Sequence, residues 1–445
     1  MFLTDALRLQ PGMSVAFVGA GGKSAALACL VREGEGRHPV VITTTTKIGR
    51  EQSALAGTHI VVQRREDLEH LALALGAVGG VLVTGPSTDS ETKWRGPDPG
   101  LLQVLAQMVS RAGGILGIEA DGARGSSLKV PAAHEPDIPG FVDVVSPIVG
   151  IDVLGTTLQA DKVHRPEDLG RFLGIRPTDP IEVEHVVRVL TSVQGSLKGV
   201  PASAEIRLLI NKAANFEALE RAAVIARQAL GTQRVQSVLA GNLLSPDAVE
   251  RSWGRPAAVV LAAGGSTRLA GPKPLLTFRG QPLIRYAVDA ALGAGLSPLV
   301  VVLGHAGADV RRALEGTPAR FVDNLHWKDG QSSSLRMGLA AVQAGTEGVV
   351  FFLADMPFVS AATVGRLVER HSETLGSIVA PAGGGRRGNP VLFDRRTFGA
   401  LQGLTGDTGG RAVFDRFDVQ EVPTDVQELM DVDDPADVDR LRSLE

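Results

Sequence analysis

"VVLAAGGSTRLAGPKPLL", Val259 to Leu276, leaves an apolar run through two consecutive glycines, Gly264 and Gly265, and then sets Arg268 and Lys273 five positions apart. A run of Val, Leu and Ala feeding a glycine pair reads as a strand ending in a loop. Without side chains, the backbone N–H groups of such a loop can close around an anion. A turn alone needs one glycine and no cations. Each basic side chain brought to ~4 Å of a phosphate oxygen in partly screened surroundings is worth on the order of 4 kcal/mol gross. Taken by itself the stretch could still be a tight turn with solvated charges; taken as a site, it predicts a polyphosphate at the carboxyl end of a strand.

Working outward, short runs rich in Val, Ile and Leu recur along the chain: "MSVAFVG", "HPVVITT", "GGVLVTG", "GGILGIEADG", "IRLLINKA", and after Ala257 "PLVVVLG", "GVVFFLADMP" and "SIVAPA". Amphipathic stretches separate them. Continuous apolar strands alternating with helices are strands covered on both faces, so the expected fold class is α/β, with parallel sheets of the doubly wound, Rossmann-like kind. At 445 residues the chain exceeds one core. The segment Leu243 to Ala258, with two prolines, a glycine and mixed charge, places a boundary near residue 250. The expected domains are residues 1–250 and 257–445.

Composition narrows the class. The 53 glycines are well above the roughly 30 that average usage near 7% would give, and the surplus sits in loops after apolar runs, as in globular chains. The net charge is −4 and the basic residues are scattered, so no broad face for a nucleic-acid backbone is expected. The single cysteine, Cys29, excludes an internal disulfide and a cysteine-based zinc or iron–sulfur site. No apolar run reaches the ~18 residues of a spanning helix and no basic segment precedes an early apolar stretch, so the expected setting is cytoplasmic, with no membrane contact.

In open parallel sheets, ligands bind beyond the strands' carboxyl ends. Asp355, at the end of "GVVFFLADMP", stands at such a point, where a carboxylate can hold magnesium together with phosphate oxygens and water. The ordered motifs "LAAGGSTRLAGPKPLL", "DGQSSSLRMGL", "LADMPFV", "RRGNPVLF", "LTGDTGGRA" and "DVDDPADV" resemble those of the molybdenum cofactor cytidylyltransferases, within the MobA-like nucleotidyltransferases, over roughly Ala257 to Leu441. The resemblance implies that Leu261, Ala262, Ala263, Gly264, Gly265, Arg268 and Lys273 hold CTP, with Arg268 and Lys273 catalytic. It implies that Asp355 binds Mg2+, with Asp431 or, preferably, Asp433 as a second ligand. It implies that Ser332, Ser333, Ser334, Arg336, Asn389 and Asp407 face the molybdopterin acceptor. The Leu-Ala-Ala-Gly form of the loop goes with CTP in that family. The serine triplet could equally cap the following helix. Two positions depart from the family pattern: Ala270 precedes Gly271 where glycine is usual, and Gly388-Asn389-Pro390 replaces Gly-His-Pro. A phosphate monoester, with a second pKa of ~6, is already largely dianionic at neutral pH, so attack on a nucleoside triphosphate needs positioning and charge neutralisation rather than a general base.

In "MSVAFVGAGGKSAALACL", a strand to Val18 gives way to a helix near Lys23, with Gly19, Gly21, Gly22, Lys23 and Ser24 between them. Amides at a helix start, a lysine and a hydroxyl make a shortened relative of the phosphate-binding P-loop, with Phe17 where the standard spacing has glycine. A dinucleotide fold would need an acid at the end of the second strand, and "TTTTKI" offers hydroxyls. Glu119 and Asp121 stand where P-loop proteins carry a magnesium-holding acid. "LLINKAAN" has Ala214 at the acid position of a guanine-reading motif, so guanine is not inferred. His134, Glu135, His164 and Asp168 are ligand candidates or loop anchors. Together with "EADGARG", "KVPAAHEPDIP" and "VHRPEDL", these segments resemble a YqeC-like bacterial family of accessory proteins for selenium-dependent molybdenum hydroxylases, over roughly Val15 to Ala214. The expectation is thus a P-loop-like accessory domain fused to a cytidylyltransferase domain, with an apo molybdenum hydroxylase as the recipient of the product. The rival readings are a nucleotidyltransferase for another phosphorylated acceptor and a cofactor carrier without chemistry.

Overall fold

The computed structural model describes residues 1–75, 79–88, 92–158, 161–265, 269, 271–342 and 345–444. The chain forms two compact units, Met1–Trp253 and Gly254–Glu445. Among the described residues no helix is long and apolar enough to cross a membrane.

The N-terminal unit is built on β1 (Ser14–Gly19), β2 (Val40–Thr44), β3 (Thr58–Val61), β4 (Val81–Thr84), β5 (Ile115–Glu119), β6 (Val144–Gly150), β7 (Glu205–Asn211), β8 (Val235–Ala240) and β9 (Arg251–Gly254). Their order in the sheet is β9-β8-β7-β6-β1-β5-β2-β4-β3. From β3 to β8 every neighbouring pair runs parallel. Strands β2 to β5 lie on one side of β1 and β6 to β9 on the other, which makes the carboxyl end of β1 the switch point of the sheet. Helix α1 (Lys23–Gly34) starts there, directly behind Gly22. Helix α2 (Pro99–Arg111) returns the chain to β5; Asp98 Oδ1 accepts from Gly100 N–H at 2.9 Å and Pro99 takes the first helical position, where no N–H is missed.

The C-terminal unit carries β10 (Ala257–Ala262), β11 (Leu299–Leu303), β12 (Arg320–Asp323), β13 (Gly348–Leu353), β14 (Ile378–Gly383), β15 (Arg386–Arg387), β16 (Val391–Asp394) and β17 (Val419–Pro423), in the order β12-β11-β10-β13-β16-β14-β15 with β17 beside β14. The period of two is visible in the packing. Ala258, Val260 and Ala262 of β10 enter one core with Val301 and Val350, while Ala257 and Val259 enter the opposite core with Val300, Val302 and Val349. This is why the run reads as uniformly apolar. This sheet is parallel-dominated, as expected, with one reversal: β16 is antiparallel to both β13 and β14. The turn at Gly384 and Gly385, both at positive φ, folds the chain back through β15 and into the sheet in the reverse direction, where a helical crossover would have kept it parallel.

Candidate functional site

A cleft of about 790 Å³ opens at the carboxyl ends of β10 and β13. Its walls include main chain from Leu261 to Gly265, then Lys273, Ser334, Asp355, Asp407 and Asp433. Lys273 starts a short 3-10 turn behind the loop. Its Nζ stands 3.6 Å from Asp355 Oδ2 and donates a short hydrogen bond to Asp433 Oδ1. Asp433 arrives from the far end of the chain because Val432 N–H donates to the Asp355 carbonyl at 3.2 Å. Strand β13 fixes Asp355 at its exit; the C-terminal segment then pins a second carboxylate beside it.

The electrostatics are those of a site short of positive charge. Burial pushes the Asp355 carboxyl up to about 6; the Lys273 ammonium opposes this, and Asp431 and Asp433 add to it. Asp431 is also raised, by burial and then by Asp433. Burial alone would lower Lys273, but the carboxylates of Asp433 and Asp355 outweigh it and raise the ammonium above its ordinary value. Asp355 Oδ1 is buried and has no hydrogen-bond partner among the described residues. A buried carboxylate oxygen without a donor, beside an aspartate that reaches solvent, suits a hard divalent cation, which needs one or two carboxylates plus phosphate and water. Asp355 and Asp433 would hold it.

Of the other residues chosen from sequence, Arg268 lies outside the described residues. The serine triplet splits. Ser332 Oγ donates to the Gly406 carbonyl at 2.7 Å, Ser333 Oγ donates to Gly330 at 2.8 Å, and Ser334 alone is in the cleft wall, accepting from Asn324 Nδ2 at 2.9 Å. Helix α3 (Gln331–Ala341) is capped by Gly330, at φ 102°, and not by a serine. Asp407 lines the cleft and accepts from Gln331 N–H at 3.2 Å. Arg336 is exposed and Asn389 half-buried, and neither is part of the cleft wall.

Sequence reasoning missed Trp327, Lys328 and Gln331, which also line the cleft. Trp327 explains one glycine: a Cβ on Gly265 would come within 2.9 Å of its ring. A Cβ on Gly264 would meet nothing within 4 Å among the described residues. The signal was present in "NLHWKDGQSSS", an aromatic in a polar loop ahead of a helix, but its partner was not legible.

In the N-terminal unit, Gly19, Gly21 and Gly22 all have positive φ. A Cβ on them would strike Ile148 O at 2.6 Å, Gly150 N at 2.3 Å and Asn211 Nδ2 at 2.3 Å. Close packing of this loop on β6 and β7 therefore accounts for its glycines without a ligand. Lys23 is buried against Asp121, and Ser24 Oγ lies 3.4 Å from Glu119 Oε2. Glu135 is a buried anchor between Lys129 and Arg165. Asp168 pairs along its own helix with Arg171, His134 is exposed, and His164 is half-buried. No group of three or more His, Cys, Asp or Glu able to hold a metal occurs among the described residues.

Fold and cleft together define a class for the C-terminal unit, the α/β nucleotidyltransferases. Residues 258–422 match the MobA-like NTP transferase domain, and through them the chain belongs to that family. Residues 15–167 match the YqeC protein family. Among curated relatives, a protein named nicotine blue oxidoreductase from Paenarthrobacter nicotinovorans is 35% identical over 161 residues, covering 34% of this chain and 78% of its own. The protein named YqeC from Escherichia coli (strain K12) is 28% identical over 251 residues, covering 54% and 91%. Among solved structures, Rv0371c from Mycobacterium tuberculosis H37Rv is 34% identical, with a TM-score of 0.38, over 42% of this chain and 98% of its own.

Proposed function

We propose that the C-terminal unit transfers CMP from CTP to the phosphate of molybdenum cofactor, giving molybdopterin cytosine dinucleotide and pyrophosphate. The observation that carries this reading is Lys273, set between Asp355 and Asp433 and facing the bare main chain of Ala262 to Gly265 across one cleft. The triphosphate lies along that main chain. Gly264 supports this placement, because nothing among the described residues requires the missing Cβ there. Lys273 neutralises the phosphates and, once they are bound, gives up part of its hold on the aspartates. A bound magnesium ion would supply Lewis-acid neutralisation of charge on the triphosphate. An oxygen of the acceptor's phosphate monoester forms a bond to the α-phosphorus, the bond to the β-phosphate breaks, and pyrophosphate leaves with the electron pair. No proton has to be removed from the nucleophile, in keeping with a cleft wall without histidine or cysteine among the described residues. Arg268, Ser334 and Asp407 are assigned to triphosphate and acceptor contacts. The N-terminal unit is assigned as a nucleotide-binding accessory module serving the same maturation of molybdenum hydroxylases.

The relative named nicotine blue oxidoreductase supports a second reading, in which the C-terminal unit is an oxidoreductase. A cleft built around a lysine held by two aspartates favours nucleotidyl transfer. The test is incubation of the full chain with CTP, GTP or ATP, magnesium and molybdenum cofactor. Pyrophosphate release is expected with CTP, falling at least 100-fold in Asp355→Asn. The same rate in that variant, or nicotinamide oxidation without pyrophosphate, overturns the assignment.

A further inference from the structure

The N-terminal unit holds a second buried polar cluster, at the carboxyl ends of β1 and β5. Lys23 and Lys129, 5% and 2% exposed, stand on either side of Asp121, 1% exposed, each Nζ 3.0 Å from one of its oxygens. Asp121 Oδ2 also accepts the Gly19 N–H at 3.0 Å. Lys129 continues to Glu135 at 2.8 Å, and Glu135 is gripped by both terminal nitrogens of Arg165 at 2.8 and 3.2 Å. Three cations thus share two carboxylates.

Beside them stands a third carboxylate, on which Lys23 also acts by its charge. Glu119 is 8% exposed; its Oε2 meets Ser24 Oγ at 3.4 Å and Gln52 Nε2 at 3.2 Å, and its Oε1 receives no hydrogen bond among the described residues. Gln52 Nε2 also donates to Ser24 Oγ at 2.7 Å. A neutral amide is thereby wedged between a hydroxyl and a carboxylate, the donor set that a hard divalent cation takes alongside phosphate oxygens. Lys23 thus serves two carboxylates, bound to Asp121 and acting by its charge on Glu119, and one ligand class can take over its second role: a polyphosphate on the lysine, carrying its own metal ion to Glu119.

We propose that this cluster binds a nucleoside polyphosphate with its divalent cation, the phosphates taking Lys23 and the cation replacing the Gln52 amide between Ser24 and Glu119. This rests on the reading of the N-terminal unit as a nucleotide-binding module and not on the CTP reading of the C-terminal cleft. The doubled lysine makes the exchange affordable: when Lys23 turns to a phosphate, Lys129 remains on Asp121, and no buried carboxylate is left unpaired. Gln52 lies in the 3-10 segment Arg50–Leu55, whose Arg50 guanidinium sits 4.8 Å over the ring of Trp94. Displacing the amide moves the segment, and Trp94 senses it.

The chain has three tryptophans, Trp94, Trp253 and Trp327. In the full chain carrying Trp253→Phe and Trp327→Phe, emission reports Trp94 alone. Titration with ATP, with GTP and with inorganic tripolyphosphate, each with magnesium, is expected to change that emission saturably. The change should vanish with EDTA, and the midpoint should weaken at least tenfold in Ser24→Ala and in Glu119→Gln. Gln52→Ala should tighten it severalfold. Removing Lys23 strips a buried charge and endangers the fold, so Ser24→Ala, checked by near-UV circular dichroism, is the decisive variant. No saturable response to any of the three, a response that survives EDTA, or an unchanged midpoint in Ser24→Ala overturns the site. Pyrophosphate release from CTP by the unmodified chain is read separately, so loss of one reading leaves the other standing.

Discussion

At the scale of the residue, two adjacent glycines of the C-terminal loop have different reasons to be glycine. Gly265 is required by Trp327, whose ring would lie within 2.9 Å of an added Cβ, whereas a Cβ on Gly264 would meet none of the described residues within 4 Å. Gly264→Ala should therefore leave thermal stability unchanged or raise it by about 0.4–1 kcal/mol through the unfolded chain, while raising KM for CTP because the methyl group stands where phosphate approaches. Gly265→Ala should instead lower stability by about 1–3 kcal/mol, the usual cost of overpacking. Thermal unfolding and CTP kinetics on the pair separate the two causes; equal effects on both quantities would remove the distinction.

At the scale of the element, the glycine-rich loop after β1 is held by a residue from β7, six strands later in the chain but separated from β1 in the sheet by β6 alone. Asn211 Nδ2 donates to the Gly21 carbonyl at 2.6 Å, and its Oδ1 accepts the Leu243 N–H at 3.0 Å. One buried amide thus ties the loop, β7 and the segment after β8. In Asn211→Ala both backbone groups lose their partner in a buried place, and a loss of about 2–4 kcal/mol is expected from two unsatisfied groups at roughly 1–3 kcal/mol each. Denaturant unfolding of the full chain measures it. A loss below 0.5 kcal/mol would mean that water or another donor replaces the amide. Asn211 is the first asparagine of "LLINKAAN", where Ala214 at the acid position gave no ground for guanine recognition; in the structure it recognises the protein's own loop.

At the scale of the whole molecule, the response to acid follows from the buried charge chain. Burial by itself raises Glu135, but hydrogen bonds from Arg165 and Lys129 outweigh it and hold the carboxyl down to about 2, against an ordinary 4.5. A carboxyl lowered by folding stabilises the native state fully above its unfolded value. The contribution is on the order of 2–3 kcal/mol at neutral pH, and it is lost as pH falls from 4.5 through 2. Glu135→Gln should be less stable than the parent at pH 7, and the gap should close towards pH 2. Circular dichroism against pH on both chains gives the comparison; a gap independent of pH would place the stabilisation in packing rather than in charge.

The strands, the two loops and most of the cleft residues were legible because each is a local property: apolar runs, glycine after a strand, a carboxylate at a strand end. Sequence by itself determined the α/β class and the chemistry on offer. Only tertiary structure decided which groups meet. Lys273 and Asp433 are 160 residues apart and touch because a backbone hydrogen bond docks the C-terminal segment on Asp355. Ser332 and Ser333 direct their hydroxyls to carbonyls of neighbouring turns, and Lys23 turns inward because Asp121 waits beneath it. The strand that reverses direction at β16 follows from a glycine turn whose consequence depends on which sheet edge is free. Periodicity encodes what a segment is, through burial of one face or two; pairing across the sheet is settled by the joint packing of all segments, which no single stretch contains.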